Sequence, residues 1–108
     1  MQLLTIPETA EALGVDIATA HQRLRDGALV AVAGEDGVRR VPADFVQDGA
    51  VVKSLTAVIT LLRDARYSDA EIIGWLFRED ASLPGTPILA LRENRGNEVK
   101  RRAQVAGF

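Results

Sequence analysis

Two short helices joined by a tight turn are encoded in the first quarter of this 108-residue chain. Thr5 and Glu8 have the spacing of a capping box, in which each side chain accepts a hydrogen bond from the other residue's backbone amide. Gly14 is the residue type that ends a helix at positive φ. Asp16, two residues later, is a preferred N-cap for the next helix. Because so short a connection packs the two helices against each other, the spacing predicts a helix-turn-helix.

The second helix is predicted over residues 17–26, with Gly27 ending it. Ile17, Ala20 and Leu24 recur at helical spacing and form its predicted buried face. In helix-turn-helix proteins the opposite face of this helix enters the major groove of DNA. The predicted DNA-contacting residues of the helix are Thr19, His21, Gln22, Arg23 and Arg25.

The chemistry of these side chains suits bases and phosphates. Arginine is the commonest specific reader of guanine, so Arg23 and Arg25 are predicted to contact a guanine edge or a phosphate. The amide of Gln22 can pair with adenine through two hydrogen bonds. The competing interpretation is a solvated helix face, and for His21 an ordinary surface histidine is the favoured interpretation.

A β-hairpin is predicted after the second helix. Residues 29–32 and 38–41 have the apolar, β-branched character of strands. Residues 33–37 contain the glycines and acidic residues of a turn, and Pro42 ends the second strand. This hairpin is predicted to be the wing of a winged helix-turn-helix.

Four more helices are predicted in the second half of the chain. Ser54 is predicted to cap a helix over residues 55–66. The core face of that helix is formed by Leu55, Val58, Ile59 and Leu62. Ser68 and Glu71 form a second capping box. The helix that follows is apolar nearly all round as far as Phe77, so it is predicted to lie at the centre of the core with Trp75 buried.

Two shorter helical segments complete the pattern. Residues 84–85, Pro-Gly, break the chain, and Thr86 begins a short helix that runs through Leu91. Asn97 is predicted to cap a last helix over residues 98–106. The predicted fold class is mostly α with a small β-hairpin. A winged helix-turn-helix over residues 1–47 is packed on a C-terminal helical bundle over residues 48–108.

Composition narrows the function classes. The chain has no cysteine and a single histidine, which excludes a disulfide framework, a thiolate metal site and a cysteine nucleophile. Asp64, Asp69 and Glu71 are close together in the sequence, but no base, nucleophile or metal ligand accompanies them. No catalytic residue, metal or cofactor is therefore expected. No signal peptide or membrane span is predicted, and a cytoplasmic protein is expected. The net charge of −2 means that any DNA-binding surface must be a local patch.

The residues also carry a family resemblance. The run LTIPETAEALGVDIATAHQRLRDGALVAVAGEDGVRRVPADFV, residues 4–46, resembles the winged-helix module of MerR-type regulators and excisionases. The segments AEALGV, LRDGALVAV, VVKSL, EIIGWLF and EVKRRAQ resemble an actinobacterial winged-helix family that includes a mycobacterial Ser/Thr-kinase substrate. This resemblance implies binding to double-stranded DNA, a role in transcription regulation, and regulation by a Ser/Thr kinase. The sequence starts almost at the first helix, so a regulatory N-terminal tail is expected to be missing.

The resemblance extends the predicted site to the wing. Arg39 and Arg40 are consecutive on a strand, so only one of them can point outward with the exposed face. The family pattern implies that at least one contacts phosphate. Glu35 and Asp36 at the tip of the wing would repel DNA, so the tip itself is not expected to insert.

A second resemblance supplies the alternative function. The segment WLFREDASLPGTPILALRENRGNEVKRRA is similar to the toxin-binding domain of the Xre/MbcA/ParS antitoxins. It implies a protein-interaction module that binds a partner through residues 75–106. Residues 100–102, Lys-Arg-Arg, either complement the dipole of the last helix or contact a second phosphate, and both interpretations stay open.

Overall fold

The computed structural model describes residues 1–80 and 83–107. Its helices are α1 (Ile6–Leu13), α2 (Ile17–Arg25), α3 (Leu55–Asp64), α4 (Asp69–Leu76), α5 (Pro87–Arg92) and α6 (Gly96–Val105), with a 3-10 turn at Ala43–Phe45. Its strands are β1 (Leu3–Thr5), β2 (Val32–Ala33), β3 (Arg39–Pro42), β4 (Val46–Gln47) and β5 (Ala50–Val51). The predicted fold class, mostly α with a winged helix-turn-helix packed on a helical part, is confirmed.

The start of α1 forms as the sequence predicts. The Glu8 amide donates to the Thr5 hydroxyl oxygen at 3.2 Å, and the Thr5 amide donates to the Glu8 carboxylate at 2.8 Å. Hydrogen bonds from the Thr5 backbone and side chain hold the pKa of Glu8 below its usual value. Both contacts lie within four residues, which is why the sequence alone identifies them.

The sheet contains a strand that the sequence did not predict. β1 pairs with β3 in antiparallel register, with Leu4 opposite Val41, and β2 pairs with the other edge of β3. The strand predicted at residues 29–32 is shorter than expected, because only Val32 and Ala33 pair with β3. Residues 29–31 instead form a buried connection from α2. The wing is therefore part of a three-stranded sheet whose central strand is β3.

α3 has the predicted core face and the predicted first residue, but its N-cap lacks the expected side-chain hydrogen bond. Leu55, Val58, Ile59 and Leu62 have no exposed surface. Ser54 occupies the N-cap position as predicted, but it lies at φ 72° and its side chain does not make the expected capping hydrogen bond. The reason is tertiary: the chain reaches α3 from the β4–β5 hairpin, and the Leu55 amide donates to the Val52 carbonyl at 3.1 Å.

α4 keeps its capping box, but it is not buried all round. The Glu71 amide donates to the Ser68 hydroxyl oxygen at 3.1 Å, and the Ser68 amide donates to the Glu71 carboxylate at 2.9 Å. Ile72, Ile73 and Leu76 are buried. Ala70 and Gly74 are exposed and Trp75 is half-buried. The prediction that Trp75 is buried is therefore wrong. The face of α4 that carries the small residues Ala70 and Gly74 is open to solvent, and Trp75 lines a cleft beside them.

The last two helices begin at different kinds of cap. The Leu89 amide donates to the Thr86 hydroxyl oxygen at 3.2 Å, which confirms the predicted start of α5. Asn97 is not the cap of α6, since that helix already begins at Gly96 and Arg95 is the residue before it. The Arg95 amide donates to the Ala90 carbonyl at 2.9 Å, and this tight connection from α5 fixes the earlier start.

One connected hydrophobic core joins the two halves of the chain. The ring of Phe45, in the first half, lies 6.0 Å from that of Phe77, which follows α4. The Arg92 guanidinium donates to the carbonyl oxygens of Asp44 and Val46 at 2.8 and 3.0 Å. The Thr56 hydroxyl donates to the Ala28 carbonyl at 3.2 Å. These contacts join the 3-10 turn, β4 and the segment after α2 to the C-terminal helices.

Candidate nucleic-acid interface

The turn between α1 and α2 sets the direction of the second helix. Gly14 lies at φ 69°, and its amide donates to the carbonyls of Ala10 and Glu11. The Asp16 carboxylate then accepts from the Thr19 amide at 2.7 Å. Hydrogen bonds from the side chain and the amide of Thr19 lower the pKa of Asp16 below its usual value. Thr19 is half-buried in this cap, so it supports the N-terminus of α2 from within.

The outer face of α2 is exposed where the sequence predicts. Ala20 and Leu24 are buried beneath the helix. The predicted outer residues His21, Gln22, Arg23 and Arg25 are all exposed. One residue departs from the expected pattern: Ile17 keeps 49% of its surface exposed instead of lying in the core. Helical spacing places Ile17 on the same face as Ala20 and Leu24, but the first turn of α2 extends beyond the edge of the core.

A chain of hydrogen bonds orders the polar side chains of α2. The Arg25 guanidinium donates to the Gln22 side-chain oxygen at 2.7 Å, and the Gln22 amide nitrogen donates to Asp26 at 2.7 Å. Asp26 is the C-cap residue of α2, so the helix ends at Arg25, one residue before the predicted end. Sequence reasoning did not single out Asp26, although its spacing of four from Gln22 is the signal that could have found it.

The wing turn positions one acidic and one basic side chain against each other. Gly37 lies at φ 75°, and its amide donates to the Gly34 carbonyl at 3.0 Å. The Asp36 carboxylate receives two hydrogen bonds from the Arg40 guanidinium, at 2.9 and 3.2 Å. It also accepts from the Val38 amide at 3.0 Å.

This pairing changes the electrostatics of both groups. The Arg40 guanidinium holds the pKa of Asp36 below its usual value, and Asp36 in turn raises the pKa of Arg40. Arg40 is half-buried, whereas Arg39 is exposed and its side chain makes no hydrogen bond or ion pair with the rest of the described chain. The strand alternation thus leaves Arg39 as the uncompensated cation of the wing and Arg40 as a paired one.

The seven predicted site residues divide between two neighbouring elements. Five belong to α2, and Arg39 and Arg40 belong to β3. α1 connects the two, because it packs against α2 and against β3. α1 therefore joins the two elements in one N-terminal unit.

A separate feature lies on α4, where Trp75 separates two clefts. One cleft, of about 430 Å³, is lined by Tyr67, Ala70, Glu71, Gly74, Trp75 and Arg78. The other, of about 290 Å³, lies between Trp75 and Pro87. Of the basic residues near the C-terminus, Arg101 is exposed, and Arg102 lies 3.6 Å from the Asp80 carboxylate.

The described residues also show no grouping of metal ligands and no membrane-spanning helix. Across residues 1–80 and 83–107, no three His, Cys, Asp or Glu side chains are grouped as a metal site would require. In the same part of the chain, no helix combines the length and apolar character needed to cross a bilayer.

Both halves of the chain match known protein families. Residues 1–46 match the family described as "DNA-binding protein Rv2175c, wHTH domain". Residues 52–107 match the family described as "Rv2175c C-terminal domain of unknown function". The chain belongs to the Rv2175c family. This confirms the actinobacterial winged-helix family that the sequence motifs resemble.

Individual relatives agree with this assignment over nearly the full chain. The DNA-binding protein Rv2175c of Mycobacterium tuberculosis is 40% identical over an alignment of 115 residues. The alignment covers 95% of this chain and 79% of the relative. The NMR structure of Rv2175c superposes with a TM-score of 0.89 at 38% identity, covering 99% of this chain and 82% of the other. The similarity therefore extends across both the winged helix and the C-terminal helices.

Proposed function

We propose that this chain is a cytoplasmic, sequence-specific binder of double-stranded DNA that regulates transcription. Its DNA-binding module is residues 1–47, and residues 48–108 form the helical domain on which that module rests. The observation that carries the proposal is the outer face of α2, which is exposed, polar and held at a fixed angle by a capped turn. The similarity to a relative named a DNA-binding protein supports the same function.

In this proposal α2 enters the major groove and the wing contacts the backbone. Gln22 and Arg25 lie on the exposed face and are hydrogen-bonded to each other, so they present a pre-ordered pair to base edges. His21 is exposed one turn after Ile17 and contacts a base or a phosphate. Arg23 on the flank of α2 contacts phosphate. Thr19 contributes indirectly, because its amide donates to the Asp16 carboxylate and so fixes the start of α2.

The wing contributes affinity without sequence information. Arg39 is its uncompensated cation and contacts a phosphate directly. Arg40 reaches phosphate only by exchanging its Asp36 partner for it. Contacts to phosphate position a protein on the duplex, whereas contacts to base edges specify the sequence.

The test is a comparison of two double variants on a library of duplexes. Gln22→Ala with Arg25→Ala should change which sequences are preferred, with a loss of discrimination of about 1–3 kcal/mol for each bidentate contact. Arg39→Ala with Arg40→Ala should weaken binding to all sequences by about the same factor. An Arg78→Ala variant, which changes an exposed arginine that follows α4 and has no part in the proposed DNA surface, is the matched control. The assignment of surfaces is wrong if the α2 variant keeps the wild-type sequence preference.

A protein partner that binds residues 75–106 is the second candidate function. The observation that favours it is Trp75, a large aromatic side chain left half-exposed between two clefts. Tryptophan is enriched at the energetic centres of protein interfaces. Co-expression with the product of a neighbouring gene tests this candidate. Trp75→Ala should release a bound partner and leave DNA binding intact.

Regulation by a Ser/Thr kinase stays a prediction of the family resemblance. Mass spectrometry after incubation with a kinase from the same organism tests it, because a phosphoryl group on the N-terminal module would lower affinity for DNA by charge repulsion. A chain that stays unmodified under those conditions would contradict it.

A further inference from the structure

Ile17 is an aliphatic residue whose side chain is exposed and does not belong to the hydrophobic core. It is the first residue of α2 and is 49% exposed, while Ala20 and Leu24 beneath it are 1% and 7% exposed. The core side of the helix is therefore already filled. Ile17 lies one turn before His21, at the edge of the outer face that the proposed function gives to DNA.

The position of Ile17 is the part of a recognition helix that reaches furthest into a groove. Helix-turn-helix proteins contact base edges chiefly with the N-terminal residues of the second helix. Asp16, directly before Ile17, has its carboxylate occupied by the Thr19 amide at 2.7 Å. Ala18, directly after it, is exposed and has only a methyl side chain, so the backbone here can approach a duplex closely.

We infer that Ile17 reads thymine by packing against its 5-methyl group in the major groove. That methyl is the one apolar group that a base pair displays there, and aliphatic side chains recognise it by contact. Ile17 has no hydrogen-bonding atom in its side chain, so it cannot read any other feature of a base edge. The inference rests on the proposed function and names one determinant of its specificity: the preferred site contains thymine opposite the start of α2.

The experiment compares thymine with uracil, which differs only by this methyl group. A duplex with a 20-bp random core is enriched by repeated binding to the full chain, and the enriched duplexes are then synthesised with either thymidine or deoxyuridine. Binding of both forms is measured for the wild type, for Ile17→Ala and for Val105→Ala. Val105 is the matched control, because it is an aliphatic residue that is 61% exposed on α6, a helix that is not part of the proposed recognition surface.

Loss of one contacted methyl should weaken wild-type binding about fourfold, the value expected from the burial of one methyl-sized group. Val105→Ala should keep the same ratio. Ile17→Ala should bind the thymine form about as weakly as the wild type binds the uracil form, with a ratio near one. Changes in duplex stiffness caused by uracil affect all three proteins equally, so they cancel in this comparison.

The contrary results separate this inference from the function on which it rests. If the wild type binds both forms equally, or if Ile17→Ala keeps the wild-type ratio, DNA binding stands and thymine reading by Ile17 is overturned. The same holds if Ile17→Ala alters only the oligomeric state in light scattering, since the residue then serves a protein contact. If the folded wild type retains no duplex from the random pool, the proposed function is itself wrong, and the inference falls with it.

Discussion

At the scale of single side chains, the two arginines of the wing differ in what they offer to DNA. Arg39 is exposed and uncompensated, whereas Arg40 holds Asp36 through two hydrogen bonds. A phosphate that approaches Arg40 must compete with a carboxylate that is already in place. If the wing contacts phosphate as proposed, Asp36 is expected to lower the affinity for DNA by more than its negative charge alone would.

Replacing Asp36 by Asn should release Arg40 and tighten binding to all duplexes. An asparagine oxygen can still accept from the Val38 amide, so the turn keeps its hydrogen bond. The dependence of log affinity on log salt should steepen by about 0.9, the contribution of one additional phosphate contact. Fluorescence anisotropy at several salt concentrations measures this slope.

Glu35→Gln is the control for this prediction. Glu35 is the neighbouring acidic residue of the tip, exposed and without an ion pair in the described part of the chain. It removes one negative charge without freeing an arginine, so its effect on the slope should be smaller. Equal effects of the two variants would show that the Asp36–Arg40 pair does not restrain DNA binding.

At the scale of elements, local signals were predictable and non-local ones were not. Both capping boxes and the Gly14 turn depend on residues within four positions of each other, and all three formed as predicted. β1 was missed because its pairing with β3 depends on residues more than 30 positions away. α3 begins after Ser54 as predicted, but the hairpin before it leaves the serine side chain without its capping hydrogen bond. Asn97 is a good capping residue in isolation, but the tight turn before α6 starts that helix at Gly96.

The candidate site divides in the same way. The exposure of His21, Gln22 and Arg25 follows from helical spacing, so the sequence predicted it. The pairing of Arg40 with Asp36 depends on the conformation of the wing turn, and the exposure of Ile17 depends on where the core ends. Neither of these can be deduced from spacing alone.

The capping box of α1 should make stability depend on pH in a defined direction. The pKa of Glu8 is lowered in the folded state from its ordinary value of 4.5. Its stabilising contribution is therefore complete above that value and is lost as the pH falls through the lower folded-state pKa. Glu8→Gln does not titrate, so the difference in melting temperature between wild type and variant should shrink between about pH 5 and pH 3.

Glu11→Gln is the matched control, since Glu11 is exposed on the same helix and its carboxylate accepts no hydrogen bond from the described residues. Thermal unfolding followed by circular dichroism gives the melting temperatures. A difference between wild type and Glu8→Gln that grows as the pH falls would contradict the role assigned to this capping box.

At the scale of the whole molecule, the winged helix and the C-terminal helices share one core. The radius of gyration is 13.3 Å, close to the roughly 13 Å expected of a single domain of this length. Phe45 is fully buried and contacts Phe77 across the two halves. Because this contact and those of Arg92 cross between the halves, we expect the chain to unfold as one cooperative unit.

Phe45→Ala should destabilise the whole chain by about 3–5 kcal/mol, the usual result of removing a buried aromatic side chain. Trp75→Ala should have a smaller effect, on the order of 1–2 kcal/mol, because Trp75 is only half-buried. Urea unfolding followed by far-ultraviolet circular dichroism measures both. A Trp75 variant that is as unstable as the Phe45 variant would place Trp75 in the core after all.

The central claim, that this chain binds duplex DNA through α2 and the wing, is tested most directly by the salt dependence of that binding. The measurement is the affinity of the purified, folded chain for a random-sequence 30-bp duplex over a series of salt concentrations. Contacts from Arg23 and Arg39 to two phosphates predict a log–log slope of about −1.8, from about −0.9 for each phosphate. Binding that does not change with salt, or no binding at low salt by chain that circular dichroism shows to be folded, would contradict the claim.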